Sequence, residues 1–157
     1  MTAHVAEPIA NLRPLTPGDL QAVVAIDYRH SASRRQDFYE KRLKAAILRP
    51  KDFIYLGFCQ GDRLLGFAFA RLVGGEFGGE DAAVALDAIG VDPDHEGKGI
   101  GAALIGGIDE IMRRKGVREM QTQSEWTDLS QLRFFRRAGF RHAPRIVLER
   151  DVSAFNE

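Results

Sequence analysis

Apolar residues recur every three or four positions at Ile100, Ala103, Leu104, Gly107, Ile108, Ile111 and Met112, with Asp109, Glu110, Arg113 and Arg114 on the opposite side. That period belongs to a helix with one buried stripe. The pattern predicts a helix over 100–115, ending on basic Lys115 and stopped by Gly116. Earlier in the chain the period shortens. Phe53 to Gln60 and Arg63 to Val73 are β-rich runs joined by Gly61-Asp62, a two-residue hairpin signal. Ala82 to Val91 reads as a further strand, apolar on both faces except at Asp87, as expected of a strand covered on both sides. By simple alternation Ala83, Ala85, Asp87, Ile89 and Val91 share one face of it.

The remaining elements follow from punctuation. Asn11 to Leu15 could form a short first strand. Thr16 as N-cap, Pro17 at the first helical position and Asp19 in the first turn start a helix that runs to about Tyr28. A polar, basic connector, Arg29 to Arg35, leads into a second helix over Gln36 to Leu48, stopped by Pro50. Gly74 to Gly79 reads as a flexible loop, Val117 to Ser124 as a strand, Asp128 to Ala138 as the last helix, and Phe140 to Val152 as a closing extended run. Residues 1–8 read as a flexible tail. There are no internal repeats.

Bulk properties narrow the classes. A chain of 157 residues with 45% hydrophobic and 28% charged content suits one globular domain, 1–157, that needs no disulfide or metal to fold. Twenty-two basic and 22 acidic residues give zero net charge, hence no general attraction to nucleic acid or an anionic membrane. The single cysteine, Cys59, excludes an intramolecular disulfide and reads as a small buried hydrophobe. No signal peptide or membrane span is apparent, and the expected location is cytoplasmic. His4, His30, His95 and His142 follow no metal-ligand spacing, so no metal is implied. No Ser-His-Asp pattern or nucleophile elbow supports a hydrolase.

The chemistry concentrates in Val91-Asp92-Pro93-Asp94-His95-Glu96-Gly97-Lys98-Gly99-Ile100-Gly101-Ala102. A strand ends at a proline, three glycines alternate, and a strong helix begins. Such a helix start leaves its first N–H groups unpaired beside glycines that let a ligand approach, which favours an anion such as phosphate. A P-loop is ruled out because Lys98 is followed by Gly99 rather than a hydroxyl residue. The dinucleotide fingerprint is formally matched by Gly97, Gly99 and Ala102, but its first glycine should follow the strand almost directly, and here the strands ahead look antiparallel.

The run V-x-P-x-x-x-G-x-G-x-G resembles the pyrophosphate loop of the GNAT N-acetyltransferase superfamily. Leu132-Arg133-Phe134-Phe135-Arg136-Arg137-Ala138-Gly139-Phe140 resembles that family's second signature, a short helix ending in Gly-Phe. The resemblance runs from about Leu12 to Val147 and implies an α/β fold. Its mixed central sheet has helices on both faces, in the order β-α-α-β-β-β-α-β-α-β. The C-terminal hairpin is shortened, and the final strand is then missing, very short or borrowed from a partner subunit.

The resemblance also implies an activity, the transfer of an acetyl or other acyl group from acetyl-coenzyme A to a primary amine of a small molecule, peptide or protein. The alternative is a non-catalytic sensor that binds acyl-coenzyme A. Gly97, Lys98, Gly99, Ile100, Gly101 and Ala102 would hold the pyrophosphate, with acidic Glu96 where the family usually has Arg or Gln. A backbone N–H within Ile89-Gly90-Val91 would stabilise the oxyanion, and Gly90 reads either as a bulge opening a slot for the cofactor arm or as a close-packing glycine.

Asp87 stands where the family often carries an acid. It reads as general base and substrate contact, or as the partner of an arginine. Glu125 is a second base candidate. Asp128 occupies the place of a cofactor-contacting asparagine, or caps the last helix. Phe135 replaces a tyrosine commonly placed near the sulfur. Trp126 would sit near the substrate opening, as packing or as ligand wall, and Arg34 in the basic connector could favour an anionic acceptor. Ile146 to Leu148 form an apolar β-prone run whose exposure would favour a homodimer.

Overall fold

The structure, a computed structural model, describes residues 11–74 and 82–152. The tail expected over 1–8 and most of the glycine loop lie outside the described residues. In chain order the elements are β1 (Leu12–Pro14), α1 (Leu20–Ser31), α2 (Gln36–Leu48), β2 (Phe53–Gln60), β3 (Arg63–Val73), β4 (Ala83–Val91), α3 (Ile100–Lys115), β5 (Glu119–Thr122) and α4 (Leu129–Arg137). Short 3-10 turns at Pro17–Asp19 and Pro93–His95 lead into α1 and towards α3. The chain divides into two compact units, Met1–Gln123 and Ser124–Glu157.

In the first unit the strands form one mixed sheet in the order β1-β2-β3-β4-β5, antiparallel except for the parallel pair β4–β5. Phe67 and Phe69 of β3 meet Val23, Val24, Ile26, Tyr39 and Leu43 of α1 and α2 on one face. The alternate residues Gly66, Ala68 and Ala70 face α3, and a Cβ on Gly66 would come within 2.8 Å of Ile100. The expected layering, helices on both faces of a mixed sheet, is therefore found within this unit.

Two carboxylates buried in this layer hold the N-terminal helices in place. Asp19 accepts from both terminal nitrogens of Arg13 (2.7 and 2.8 Å) and from the backbone N–H of Thr16 (2.7 Å), tying β1 to the start of α1. Asp27 of α1 accepts from Arg35 Nε (2.9 Å), from a terminal nitrogen of Arg35 and from the Tyr39 hydroxyl (2.9 Å), which locks α1 to α2. Burial alone would push both carboxyls up. For Asp19 the hydrogen bonds from Arg13 outweigh it, and for Asp27 burial is the largest single effect yet the hydrogen bonds from Arg35, Tyr39 and Ser31 and the charge of Arg35 together exceed it, so both lie below the ordinary range.

Of the two readings of Gly90 one is decided, and four further expectations from the sequence are corrected. The register pairs Phe69 with Ala88 and Ala70 with Leu86, so the extra residue of β4 is Asp87, and the bulge sits there rather than at Gly90. Gly90 is instead a close-packing glycine: a Cβ there would lie 2.6 Å from the Phe67 ring. The bulge also breaks the alternation. Ile89 and Val91 pair with Ala68 and Gly66 on the α3 face, whereas Asp87 reaches Arg71 and Arg42 on the α1–α2 face.

Helix α1 continues to Ser31, so Arg29 and His30 belong to its last turn and not to a connector. Ala32 in left-handed conformation (φ 53°) ends it. The strand expected over 117–124 shortens to Glu119–Thr122. Residues 140–152 form no strand: Pro144 has no N–H to give a ladder, and Ile146 and Leu148 are 83% and 85% exposed, with neither face covered.

The lowered Asp19 and Asp27 make stability depend on acid. Between their folded and unfolded pKa values the unfolded chain binds more protons, so their contribution is complete above about pH 4 and is lost as pH falls through the folded values. Thermal melts from pH 7 down to pH 3 should therefore show a steep loss below pH ~4, and Asp27→Asn should lower the melting temperature at neutral pH while flattening that acid limb.

Candidate functional site

The glycine loop carries its own geometry. Asp92, buried at the end of β4, gives its backbone N–H to the Leu65 carbonyl (2.7 Å), and its carboxylate accepts from the Asp94 N–H (2.9 Å), which folds the Pro93–His95 turn. Gly97 and Gly99 then adopt left-handed conformations, φ 75° and 81°, where a side chain would be strained. A Cβ at either would meet nothing within 4 Å, so the backbone here borders open space. Gly99 is the N-cap of α3 and no side chain caps that end. The first intrahelical bond runs from Ala103 N to Gly99 O (2.9 Å), which leaves the N–H groups of Ile100, Gly101 and Ala102 without an acceptor in the helix. These amides and the positive end of a 16-residue helix suit an anion.

An ionic network fastens this loop to the end of α1. Arg29 bonds Asp92 (3.0 Å) and Asp94 (3.1 Å), Arg63 reaches Asp92 (3.3 Å), and His30 Nε2 lies 2.6 Å from the Val91 carbonyl oxygen. The hydrogen bonds from Arg29 hold the Asp94 carboxyl below its usual range. Glu96, the acid that departs from the resembled loop, stands 3.7 Å from His30 Nε2 and so has a cationic partner when that ring is protonated. A small pocket lined by Phe58, Gln60, Leu65, His95, Lys98 and Ile100 lies beside the loop, so Lys98 borders it. No spacing along the chain links Arg29, Arg63 and Asp92, because they converge from three elements.

A second feature is the parting of β4 from β5. Only Ala83 to Leu86 of β4 pair with β5, and the Thr122 hydroxyl donates to the Leu86 carbonyl (3.0 Å) where the pairing stops. From Ala88 to Val91 the strand pairs with β3 only. Because the Asp92 N–H points to β3, alternation turns the N–H groups of Ile89 and Val91 to the side that β5 has left. Asp87, at the head of this opening, is paired with arginine, the second of the roles expected for it. Arg71 Nε donates to both carboxylate oxygens (3.2 and 3.1 Å), and Arg42 Nη1 stands 3.3 Å away. Arg34, in the short link before α2, is exposed.

The other residues singled out from sequence lie in the second unit. Asp128 caps α4, its side chain accepting from the Gln131 N–H (3.1 Å). Phe135 is buried, with ring centroids 5.3 Å from Phe134 and 5.0 Å from Phe140. Trp126 is 83% exposed, so the packing role does not hold for it, and Glu125 is exposed as well.

Comparison with known proteins agrees with this geometry. Residues 20–140 match the Acetyltransferase (GNAT) family, and the chain belongs to it. It is 31% identical over 81 residues to a mycothiol acetyltransferase of Clavibacter michiganensis subsp. michiganensis, a match covering 52% of this chain and 24% of that protein. The aligned part is thus about a quarter of that relative's length.

Among solved structures, an integron cassette protein from the mobile metagenome of Cole Harbour Salt Marsh shares the fold with a TM-score of 0.76, at 21% identity over 96% of both chains. The aminoglycoside N-acetyltransferase AAC(6')-Iy, solved with coenzyme A, has a TM-score of 0.74 at 19% identity, over 90% of this chain and 93% of its own. An aminoglycoside acetyltransferase from an uncultured soil metagenomic sample, solved with sisomicin, has a TM-score of 0.70 at 16% identity, over 90% and 94%.

The loop should depend on Asp92 for its shape. Asp92→Ala frees the Asp94 N–H and removes the acceptor of Arg29 and Arg63, whose own side chains are exposed, so the cost is that of lost charge-assisted hydrogen bonds, about 1–3 kcal/mol. Urea unfolding should show that loss, whereas Asp94→Ala, at an exposed position, should leave the unfolding midpoint close to that of the parent.

Proposed function

We propose that this chain is an N-acetyltransferase that moves an acetyl or related acyl group from acetyl-coenzyme A directly to a primary amine of a small molecule or peptide. One observation carries this reading: β4 parts from β5 just ahead of an uncapped, glycine-lined helix start. Membership of the Acetyltransferase (GNAT) family supports it. The single domain expected over 1–157 is part of the proposal, supported by a family match that runs across the boundary between the two compact units.

The bound donor supplies a thioester: the amine nitrogen bonds to its carbonyl carbon, the C–S bond breaks, coenzyme A leaves as thiolate and the nitrogen gives up a proton. In this proposal the amides of Gly97 to Ala102 bind the diphosphate, with Lys98 adding a cation nearby. The N–H of Ile89 or Val91 stabilises the negative charge that develops on the carbonyl oxygen, a contribution of about 3 kcal/mol for one such donor. Asp87 orients the amine and takes its proton, directly or through a water. A thiol pKa of about 8.5 makes thiolate a fair leaving group near neutrality, so phenylalanine at 135 in place of tyrosine costs little. That same phenylalanine favours the second reading, an acyl-coenzyme A sensor without chemistry.

Calorimetry with acetyl-coenzyme A and a thiol-release assay against amines, peptides and antibiotics separate these. Gly99→Val should weaken cofactor binding ten-fold or more, since valine is strained at φ 81°. Asp87→Asn should lower turnover by about 10² while leaving cofactor affinity nearly unchanged. Cofactor binding with no thiol release from any amine would favour the sensor, and full activity in Asp87→Asn would remove that residue from proton transfer.

A homodimer belongs to the same proposal. Ile146, Val147 and Leu148 are 83%, 63% and 85% exposed in one run, an apolar strip that a second copy would cover. Sedimentation at micromolar concentration should give twice the chain mass and Val147→Lys the single mass; a single mass for the parent overturns the dimer.

A further inference from the structure

The four ion-paired aspartates whose side chains are mostly buried differ in how completely their partners are used. Asp19 takes both terminal nitrogens of Arg13. Asp27 takes Nε and one terminal nitrogen of Arg35, and Tyr39 shares the latter. Asp92 has Arg29 and Arg63, but Asp94 answers the second charge. Asp87 alone among them faces two guanidiniums with no second carboxylate among the described residues.

Both forks at Asp87 are left open. Arg71 spends only Nε on it, so its two terminal nitrogens have no acceptor among the described residues. Arg42 meets Asp87 through Nη1 at 3.3 Å, without a hydrogen bond, and its guanidinium is held over the Phe38 ring at 5.3 Å. Neither cation is hidden: Arg71 is 40% exposed and Arg42 29%, beside a carboxylate that is 14% exposed. An open guanidinium fork is matched to the planar pair of oxygens of a carboxylate, or to a phosphate. All three groups lie at the bulge that heads the β4–β5 opening, two residues from Ile89.

We propose that the acceptor amine carries an oxyanion a few atoms from its nitrogen, as a free α-amino acid or an amino phosphate does. The oxyanion docks on the forks of Arg42 and Arg71, and the amine lies against Asp87. Among the described residues the residual charge at this spot is positive, two guanidiniums against one carboxylate, so a polycationic aminoglycoside is a poor acceptor. The inference rests on the acetyl-transfer reading, and names its substrate class.

The test is thiol release by the full chain at saturating acetyl-coenzyme A. The acceptors are free L-amino acids, the same amino acids as carboxamides, phosphoethanolamine, ethanolamine and sisomicin. The expected result is at least ten-fold higher kcat/KM for the acids over their carboxamides, or for phosphoethanolamine over ethanolamine, and whichever pair shows it names the anion. Arg71→Gln should collapse that preference through KM, with acetyl-coenzyme A affinity and melting temperature close to the parent, and Arg71→Lys should restore part of it. Equal rates for acid and carboxamide together with equal rates for the two ethanolamines, or preference for sisomicin, overturn the proposal. If acetyl-coenzyme A binds and no acceptor releases thiol, acetyl transfer itself fails. Ligand-detected NMR of the same amino acids then decides the anion site separately: saturation transfer lost in Arg71→Gln upholds it, and none with the parent overturns it.

Discussion

β4 holds one residue more than the strand beside it can match, and the shape of the site follows from that surplus. Asp87 is the unpaired residue. Its insertion swings Ile89 and Val91 to the α3 face, leaves the carboxylate among arginines on the other face, and falls where β5 stops pairing. A strand that continued in register with both neighbours would have every N–H used. Here β3 satisfies one side of β4 as far as Val91 while the other side opens, so backbone donors remain available at a place otherwise built like a core. Gly90 makes room for this, since the Phe67 ring occupies the volume a side chain would need.

The second constraint is the buried carboxylate of Asp92. Its backbone extends the β3–β4 ladder, its side chain shapes the turn before the glycine loop, and its charge draws Arg29 from α1 and Arg63 from the β2–β3 hairpin. The loop is thereby fixed from the end of α1, the helix that also carries Asp27 and is locked to α2 through Arg35 and Tyr39. Within the first unit, α1 thus carries two sets of charge-assisted hydrogen bonds, one fixing the loop before α3 and one fixing α2, while Asp87 keeps its own with Arg71. Such bonds are stronger than neutral ones and tolerate little misalignment.

Much of this was legible in the residues. The amphipathic stripe of 100–115, the Gly61-Asp62 hairpin and the Pro50 stop give α3, β2, β3 and α2 with the observed ends, because local period and turn chemistry decide them. The glycine loop was legible for the same reason: Gly97 and Gly99 take conformations that glycine favours, and a helix start follows immediately. Phe140 to Val152 misled because β-branched residues raise strand propensity, while a strand also requires a partner edge, and Pro144 and the exposure of Ile146 to Leu148 leave the run without one.

Most of the elements and their order, the glycine loop and the family could be read from the residues alone, since each is written in short-range spacing that neighbouring residues enforce. It took the folded chain to show where the extra residue of β4 lies, that Gly90 is packed rather than bulged, and that α1 runs on to place Arg29 and His30 against the loop. The fold alone brought Arg42 and Arg71 to Asp87. Those outcomes depend on cross-strand register and on charges that meet from separate elements, and neither leaves a periodic trace along the chain.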